Sequence, residues 1–280
     1  CSHRRVCDER RKAAPEALAL PRRDGPRALG GRMTRELPPA TISEHDGVRY
    51  LHLDSPWVQG AMHVRAPDVI VLEYVQRMMA ALLWRPTDAL ASGHAVQLGL
   101  GAGTITRFVH RVLRMDRVTA VELNPGVIAA CRHGFKLPRD DERLVVVQAD
   151  AADWVADRAN RACAQLLHVD LYDREAAAPV LDSDAFYAGC REVLAPGGVM
   201  AVNLFGRDSS FPASAGHIAA AFGSDQVWSL QPTREGNTIV VAAREVAVPA
   251  REELLDRAAA IERKTGLPAR KWLRMVRPYS

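Results

Sequence analysis

From about residue 93 onward, the chain alternates short apolar runs with longer amphipathic stretches. Such runs are typical of strands that are buried on both faces of a sheet. The stretches between them have the length and spacing of helices, so the alternation predicts an α/β fold with a doubly wound parallel sheet. The predicted strands are 95–100, 118–123, 144–149, 166–171 and 198–205, and the predicted helices are 103–114, 125–133, 151–160 and 184–194.

The part of the chain before this pattern has a different period. Residues 41–64 alternate polar and apolar side chains, and Asp46-Gly47 supplies hairpin turn chemistry, so we expect a small antiparallel sheet there. Residues 69–84 place apolar side chains at helical spacing, and Pro86 follows them. This spacing predicts a helix that links the small sheet to the larger one.

Two further strands and a helix are predicted near the C-terminus. The segments 226–232 and 237–244 are joined by "TREGN", which predicts a hairpin that adds antiparallel strands at the far edge of the parallel sheet. Residues 250–265 form an amphipathic helical pattern. The predicted domains are therefore a basic tail (1–32), a small N-terminal β-strand domain with the linking helix (33–90), a Rossmann-like domain (91–245) and a C-terminal helix and tail (246–280).

The positive charge of the chain is concentrated in its first 32 residues. This segment carries nine Arg or Lys against four Asp or Glu, whereas the formal net charge of the whole chain is +4. It has no sustained period, so we expect it to be disordered, as an unfolded extension or an upstream artefact with the natural start at Met33. It lacks aromatic residues and a helical array of arginines, so we expect no nucleic-acid partner.

Composition limits the other classes of protein. No apolar run approaches the roughly 18 residues that cross a bilayer, so we expect no membrane partner and a cytoplasmic location. The five cysteines include no C-x-x-C pair and are interpreted as reduced. The nine histidines show no metal-binding spacing, so we expect no metal site.

The strongest local motif is the glycine-rich "LGLGAGT" at 98–104. Gly99, Gly101 and Gly103 follow a predicted buried strand and open a helix, where missing side chains let a ligand approach the backbone. A glycine-rich turn alone is weak evidence, because glycine also favours ordinary tight turns. A dinucleotide G-x-G-x-x-G motif begun at Gly99 requires glycine where Thr104 stands, so the motif favours a nucleoside without a pyrophosphate.

Acidic residues end three of the predicted strands. Glu122 ends the second strand, where a carboxylate can accept hydrogen bonds from ribose hydroxyls. Asp150, followed by Ala151, ends the third strand, where we expect contact with the nucleobase of the nucleoside. The fourth strand ends in "HVDLYD", which places Asp170 and Asp173 at the same carboxyl edge. Asp173 as a helix cap, and Asp170 as an acceptor for loop amides, is the alternative interpretation of this pair.

These motifs resemble the spermidine synthases, the polyamine aminopropyltransferases. That family carries a G-G-G-D-G-G turn, V-E-[IL]-D and G-D-[GA] strand ends, and a D-x-x-D pair followed by F-Y and Gly-Gly. This chain has, in the same order over residues 40–245, "LGLGAGT", "AVELNPGVI", "VQADA", "DLYD" and "AFYAGCREVLAPGG". The resemblance also implies a class I S-adenosylmethionine-dependent methyltransferase fold and assembly as a homodimer.

The resemblance further implies a reaction. An amine would attack the aminopropyl carbon of decarboxylated S-adenosylmethionine, with Asp170 as the base and a di- or polyamine as acceptor. It makes Asp173 an orienting group for that polyamine. "DSPWVQGAM" resembles the family's D-G-x-x-Q turn, which implies that Gln59 contacts the nucleoside, and Tyr74 in the linking helix would contact the acceptor.

The chain also departs from the family pattern. The acid of the family's glycine turn is replaced by Ala102, the residues after Asp173 are Arg-Glu-Ala, and Asn203 replaces a common glutamine. Two alternatives therefore stay open. One is a methyltransferase of the same fold that uses S-adenosylmethionine itself, and the other is a non-catalytic nucleoside-binding scaffold. The pair Asp170 and Asp173 favours a polycationic acceptor.

Overall fold

The computed structural model describes residues 37–55, 57–171, 183–205 and 211–279 of the chain. These residues belong to one compact unit, Leu37–Ser280. The basic segment at 1–32 and the predicted substrate-binding residue Asp173 lie outside the described residues. In the described part of the chain, no helix is both long and apolar enough to cross a membrane.

The predicted N-terminal antiparallel sheet is confirmed. It consists of β1 (Ala40–His45), β2 (Val48–Leu53) and β3 (Val58–His63), paired in that order. Asp46 and Gly47 join β1 to β2 with φ angles of +50° and +72°, the backbone that a two-residue type I′ hairpin requires. The small sheet packs on the segment that follows the first strand of the larger sheet, since the Thr104 hydroxyl donates to the Ala61 carbonyl of β3 at 3.1 Å.

The larger sheet has the order β11-β9-β10-β8-β7-β4-β5-β6. Its β4, β5, β6, β7 and β8 pair in parallel, while β10 pairs antiparallel with both β8 and β9, and β11 pairs antiparallel with β9. This is the predicted Rossmann-like α/β fold of class I methyltransferases. The strands are β4 (His94–Leu98), β5 (Arg117–Glu122), β6 (Leu144–Gln148), β7 (Ala164–Val169), β8 (Leu194–Phe205), β9 (Val227–Leu230), β10 (Asn237–Ala243) and β11 (Val276–Pro278).

The helices cover both faces of this sheet. They are α1 (Glu73–Met78), α2 (Thr104–Arg107), α3 (Pro125–Gly134), α4 (Ala151–Ala156), α5 (Asp184–Val193), α6 (Phe211–Phe222), α7 (Arg251–Thr265) and α8 (Ala269–Met275). A 3-10 helix, Met79–Trp84, continues α1, and a π-helix, Phe108–Leu113, continues α2.

Three parts of the chain differ from the sequence expectation. The linking helix begins at Glu73 rather than 69, and its second half is a fully buried 3-10 helix. The sequence analysis did not predict α6, whose alanine-rich residues give little contrast between apolar and polar faces. It also treated residues 266–280 as a tail, whereas α8 and the edge strand β11 lie there.

The two faces of the sheet have separate apolar cores. On one face, Trp84 of the 3-10 helix packs on Trp228 of β9, with ring centroids 4.6 Å apart, and α7 and α8 complete the layer. On the other face, Tyr187 and Phe186 of α5 pack with α6 against the strands. Polar side chains inside the sheet are therefore expensive to bury, and those present near the carboxyl ends of the strands mark the site described next.

Candidate active site

The predicted site residues meet at one edge of the sheet. Gly99 follows β4, Glu122 ends β5, Asp150 follows β6 and Asp170 follows β7. These four strands are parallel neighbours, since β4 pairs with β5 and β7, and β5 pairs with β6. Their carboxyl ends therefore lie along the edge where open α/β sheets bind ligands.

The glycine turn is shaped by close backbone contacts. Gly99, Gly101 and Gly103 have φ angles of +83°, +51° and +67°, a region that favours glycine. A Cβ atom on Gly99 would lie 2.1 Å from the carbonyl oxygen of Asp170, and one on Gly101 would lie 2.9 Å from that of Gln59. The turn is thus held between β3 and the end of β7, and its open backbone suits a closely bound ligand.

Two buried side chains that were not predicted from the sequence stabilise the turn by hydrogen bonds to its backbone carbonyls. Gln97 donates from Nε2 to the Gly99 carbonyl at 2.6 Å, and its Oε1 accepts from the Thr106 hydroxyl. Arg107 donates to the Ala102 and Phe135 carbonyls at 2.6 and 2.7 Å, and burial lowers the pKa of Arg107 to about 10. The glutamine inside the apolar run 95–100 could have indicated this arrangement, because a buried polar side chain needs hydrogen-bond partners.

Glu122 ties the second strand to this turn. Its Oε2 accepts from the Leu100 amide at 2.9 Å, and its Oε1 accepts from the Asn124 amide at 2.8 Å. Burial raises the pKa of Glu122, and these backbone hydrogen bonds oppose that rise. Each carboxylate oxygen has a second lone pair, so Glu122 can still accept hydrogen bonds from two ligand hydroxyls.

Asp150 caps a helix, in addition to the ligand contact predicted for it. It is the N-cap of α4, and its Oδ1 accepts from the Ala152 amide at 2.7 Å. Its side chain is exposed, and Ala151 beside it is half-buried at the first turn of the helix. The cap fixes the carboxylate at the sheet edge, since an N-cap aspartate is held by its own helix.

Ala102 stands where the glycine turn of the spermidine synthases carries an acid, and its packing fits a small side chain. It is buried, and a Cβ atom on Gly60 of β3 would lie 2.6 Å from both the Cβ and the amide nitrogen of Ala102. The position is therefore filled by close packing of β3 on the turn. A larger, charged side chain there would require these two elements to separate.

Asp170 is the chemically distinctive group of the site. Its Oδ1 accepts from Asn203 Nδ2 of β8 at 2.9 Å, and its Oδ2 accepts from the Tyr74 hydroxyl of α1 at 3.3 Å. Burial raises the pKa of Asp170 from 3.8 to about 6, with the two hydrogen bonds opposing the rise. A carboxyl with a pKa near neutrality can accept a proton during a reaction and release it afterwards.

The structure shows which side chain of the linking helix faces the site. Tyr74 points to Asp170, whereas Gln76 donates to the Ile70 carbonyl at 2.8 Å and so stabilises the start of the helix. Tyr74, Asn203 and Asp170 thus lie together, as do Gln59 and the glycine turn. Among the described residues, no group of three or more His, Cys, Asp or Glu could hold a metal ion.

Comparison with known proteins gives the following similarities. No family model matches the chain. A polyamine aminopropyltransferase of Neisseria meningitidis serogroup A is 34% identical over 205 residues, which are 73% of this chain and 76% of the relative. The polyamine aminopropyltransferase of Chromobacterium violaceum is 32% identical over 232 residues, 82% of this chain and 86% of the relative.

Solved structures agree on the fold. The crystal structure of a probable spermidine synthase from Corynebacterium glutamicum superposes with a TM-score of 0.66. The match covers 84% of this chain and 90% of that one, at 19% sequence identity.

Proposed function

Because the chain belongs to the polyamine aminopropyltransferase family, we propose that it transfers an aminopropyl group from decarboxylated S-adenosylmethionine to a di- or polyamine. The observation that carries this proposal is Asp170. It is a partly buried carboxyl with a pKa of about 6, hydrogen-bonded by Tyr74 and Asn203 and adjacent to the glycine turn. A base of this kind is what transfer to an amine requires.

The chemistry explains why the amine needs a base. An alkylamine with a pKa of about 10 is almost fully protonated at neutral pH and has no free lone pair. Asp170 accepts a proton from the amine, whose nitrogen then bonds to the aminopropyl carbon. The bond between that carbon and the sulfonium sulfur breaks, and its electron pair stays on sulfur in neutral methylthioadenosine. The leaving group needs no acid, so the rest of the acceleration comes from alignment of the reactants.

The nucleoside half of the donor would lie along the strand ends. In this proposal the backbone of Gly99, Gly101 and Gly103 approaches the donor, since the three residues carry no side chain and have positive φ angles that leave the turn open. Glu122 accepts hydrogen bonds from the ribose hydroxyls, because each of its carboxylate oxygens has a second lone pair beyond the one that accepts from a backbone amide. Asp150 and Ala151 contact the adenine, and Gln59 approaches from β3.

The acceptor half of the site would lie around Tyr74. Its hydroxyl is bonded to Asp170, so an amine held by the tyrosine lies next to the base. We assign Asp173 to the distal ammonium of the acceptor, because a polycation is best oriented by two separated anions. The proposal also includes a homodimer in the cytoplasm, and sedimentation analysis of the full chain would give twice the chain mass.

The decisive experiment incubates the purified full chain with decarboxylated S-adenosylmethionine and putrescine. The expected result is equal formation of spermidine and methylthioadenosine, quantified by mass spectrometry. Replacing the donor by S-adenosylmethionine tests the methyltransferase alternative, which requires methylated product and S-adenosylhomocysteine. If methylthioadenosine binds in calorimetry but neither donor is consumed with any of a panel of amines, the chain is a nucleoside-binding scaffold and the proposed function is wrong.

A further inference from the structure

A line of buried polar side chains leads away from Asp170 into the protein. Asn203 Nδ2 donates to Asp170 Oδ1 at 2.9 Å, Asn237 Nδ2 donates to Asn203 Oδ1 at 3.0 Å, and the Thr233 hydroxyl donates to Asn237 Oδ1 at 3.5 Å. Asn203 is 1% exposed, Thr233 3% and Asn237 7%. We infer that these three residues, here called the carboxamide relay, are positioning residues that hold Asp170 as an ionised base.

The relay is anchored in the backbone of the hairpin between β9 and β10. The Asn237 amide donates to the Thr233 hydroxyl at 3.2 Å, and the Thr233 amide donates to the Asn237 carbonyl at 2.8 Å. Along β10, Asn237 pairs with Phe205 of β8, so its side chain lies diagonally across from Asn203 on the same face of the sheet. The strands β8 and β10 therefore fix Asn203 and Asn237, and backbone hydrogen bonds of the hairpin connection fix Thr233.

The hydrogen bonds of the relay all have the same direction. An ionised carboxylate only accepts, so Asn203 must turn its amino group toward Asp170 and its oxygen toward Asn237. That oxygen needs a donor, so Asn237 must present its own amino group, and its oxygen then faces the Thr233 hydroxyl. The orientation of each carboxamide dictates the next one, whereas the Thr233 hydroxyl also hydrogen-bonds the Glu235 carboxylate and so shares its proton between Glu235 and Asn237. The relay as a whole favours the charged form of Asp170, because hydrogen bonds to the charged form lower the pKa of an acid.

The other groups around Asp170 do not replace the relay. From α1, Tyr74 donates to its other oxygen, and Arg77, one turn later, bonds to Glu73 and the Gln231 carbonyl instead. From β7, His168 precedes Asp170 on the same face, but burial lowers the pKa of His168 to about 3, so it is neutral. The described neighbours of Asp170 thus offer hydrogen bonds rather than a compensating positive charge.

Removing one member of the relay should change the pKa of Asp170. Without a donor at position 237, the Asn203 carboxamide can rotate and present its oxygen to Asp170. That oxygen needs a donor, so Asp170 would bind its proton more tightly. For Asn237→Leu we expect the pKa of Asp170 to rise by about one unit or more, since hydrogen bonds to charged groups are among the stronger ones.

The test measures the ionisation of Asp170 directly, by NMR titration of the aspartate carboxyl carbons in the full chain without substrates. Asp170 is assigned by the signal lost in Asp170→Asn. Wild type, Asn237→Leu and the hydroxyl pair Thr233→Val and Thr233→Ser are compared. We expect the Asp170 titration to move upward in Asn237→Leu, less in Thr233→Val, and not in Thr233→Ser. The control is Thr238→Val, the neighbouring buried position whose side chain lies on the opposite face of β10.

The catalytic consequence rests on the proposed function and is measured separately. The acid limb of the pH profile of kcat/KM should move upward with the titration, so that Asn237→Leu loses about fivefold at pH 6, about tenfold at pH 5 and little at pH 9, while the KM for the donor changes little. An unchanged Asp170 titration in folded Asn237→Leu or Thr233→Val refutes the relay. Absence of aminopropyl transfer by wild type refutes the proposed function instead and leaves the titration result valid. If Asn237→Leu does not fold, Thr233→Val against Thr233→Ser decides.

Discussion

Replacing the proposed base should make the protein more stable while it greatly lowers the rate of aminopropyl transfer. Burial raises the pKa of Asp170 from 3.8 to about 6, so the folded state holds an ionised Asp170 at a cost. Between these two values the folded state binds more protons than the unfolded state, and stability falls as the pH rises through that window. Asp170→Asn keeps the shape and can still accept from Asn203, but it carries no charge.

The expected gain follows from the size of the pKa difference. A difference of about two pKa units corresponds to about 3 kcal/mol above pH 7, and solvent screening of the partly exposed carboxyl reduces this to about 2 kcal/mol. The variant should therefore unfold at higher urea concentration at pH 8, with the advantage shrinking toward zero at pH 4. Aminopropyl transfer should fall by about 10²-fold or more, the usual contribution of a positioned base.

Urea unfolding of wild type and variant at pH 4, 6 and 8 checks this prediction. Asp157→Asn is the matched control, because Asp157 is an exposed N-cap outside the site and asparagine caps helices equally well. An Asp170→Asn protein that is equally or less stable at pH 8, or whose gain does not depend on pH, contradicts the assigned pKa and its cause.

Three further variants test other parts of the structure. Both ring nitrogens of buried His168 lack partners among the described residues, and burial lowers the pKa of His168 to about 3. The free energy of unfolding of wild type should therefore fall by about 2 kcal/mol between pH 8 and 5, because only the unfolded histidine takes up a proton in that range. In urea unfolding, the His168→Leu variant should not show this fall in stability between pH 8 and 5. Gly99→Ala places a Cβ atom 2.1 Å from the Asp170 carbonyl oxygen at a positive φ, so the same measurement should show at least about 2 kcal/mol of destabilisation. Glu122→Gln should weaken methylthioadenosine binding about tenfold in calorimetry, because an amide cannot accept from both the ribose and the Leu100 and Asn124 amides.

The sequence predicted the framework of the site well. The run 95–100 and its neighbours have the period of buried strands, and parallel strands necessarily bring their carboxyl ends to one edge. Gly99, Glu122, Asp150 and Asp170 therefore lie together as expected. The roles assigned to them remain predictions, and Asp173 lies outside the described residues.

The sequence predicted the short elements less well. The residues 79–84 are apolar and helical in period, yet they form a 3-10 helix, which lies buried between the sheet and α7. The helix α6 is rich in alanine and carries few polar residues that would define its outer face. Such segments take their structure from packing more than from their own pattern.

What the sequence determined by itself is the fold class and the set of acids at the sheet edge, since both follow from local periodicity and from where each strand ends. Tertiary structure alone decided what surrounds Asp170. Tyr74 lies 96 residues before it, Asn203 lies 33 residues after it, and Asn237 joins Asn203 only because β10 enters the sheet beside β8. Contacts over such separations depend on strand order and register, and the raised pKa of Asp170 depends on the burial that they create.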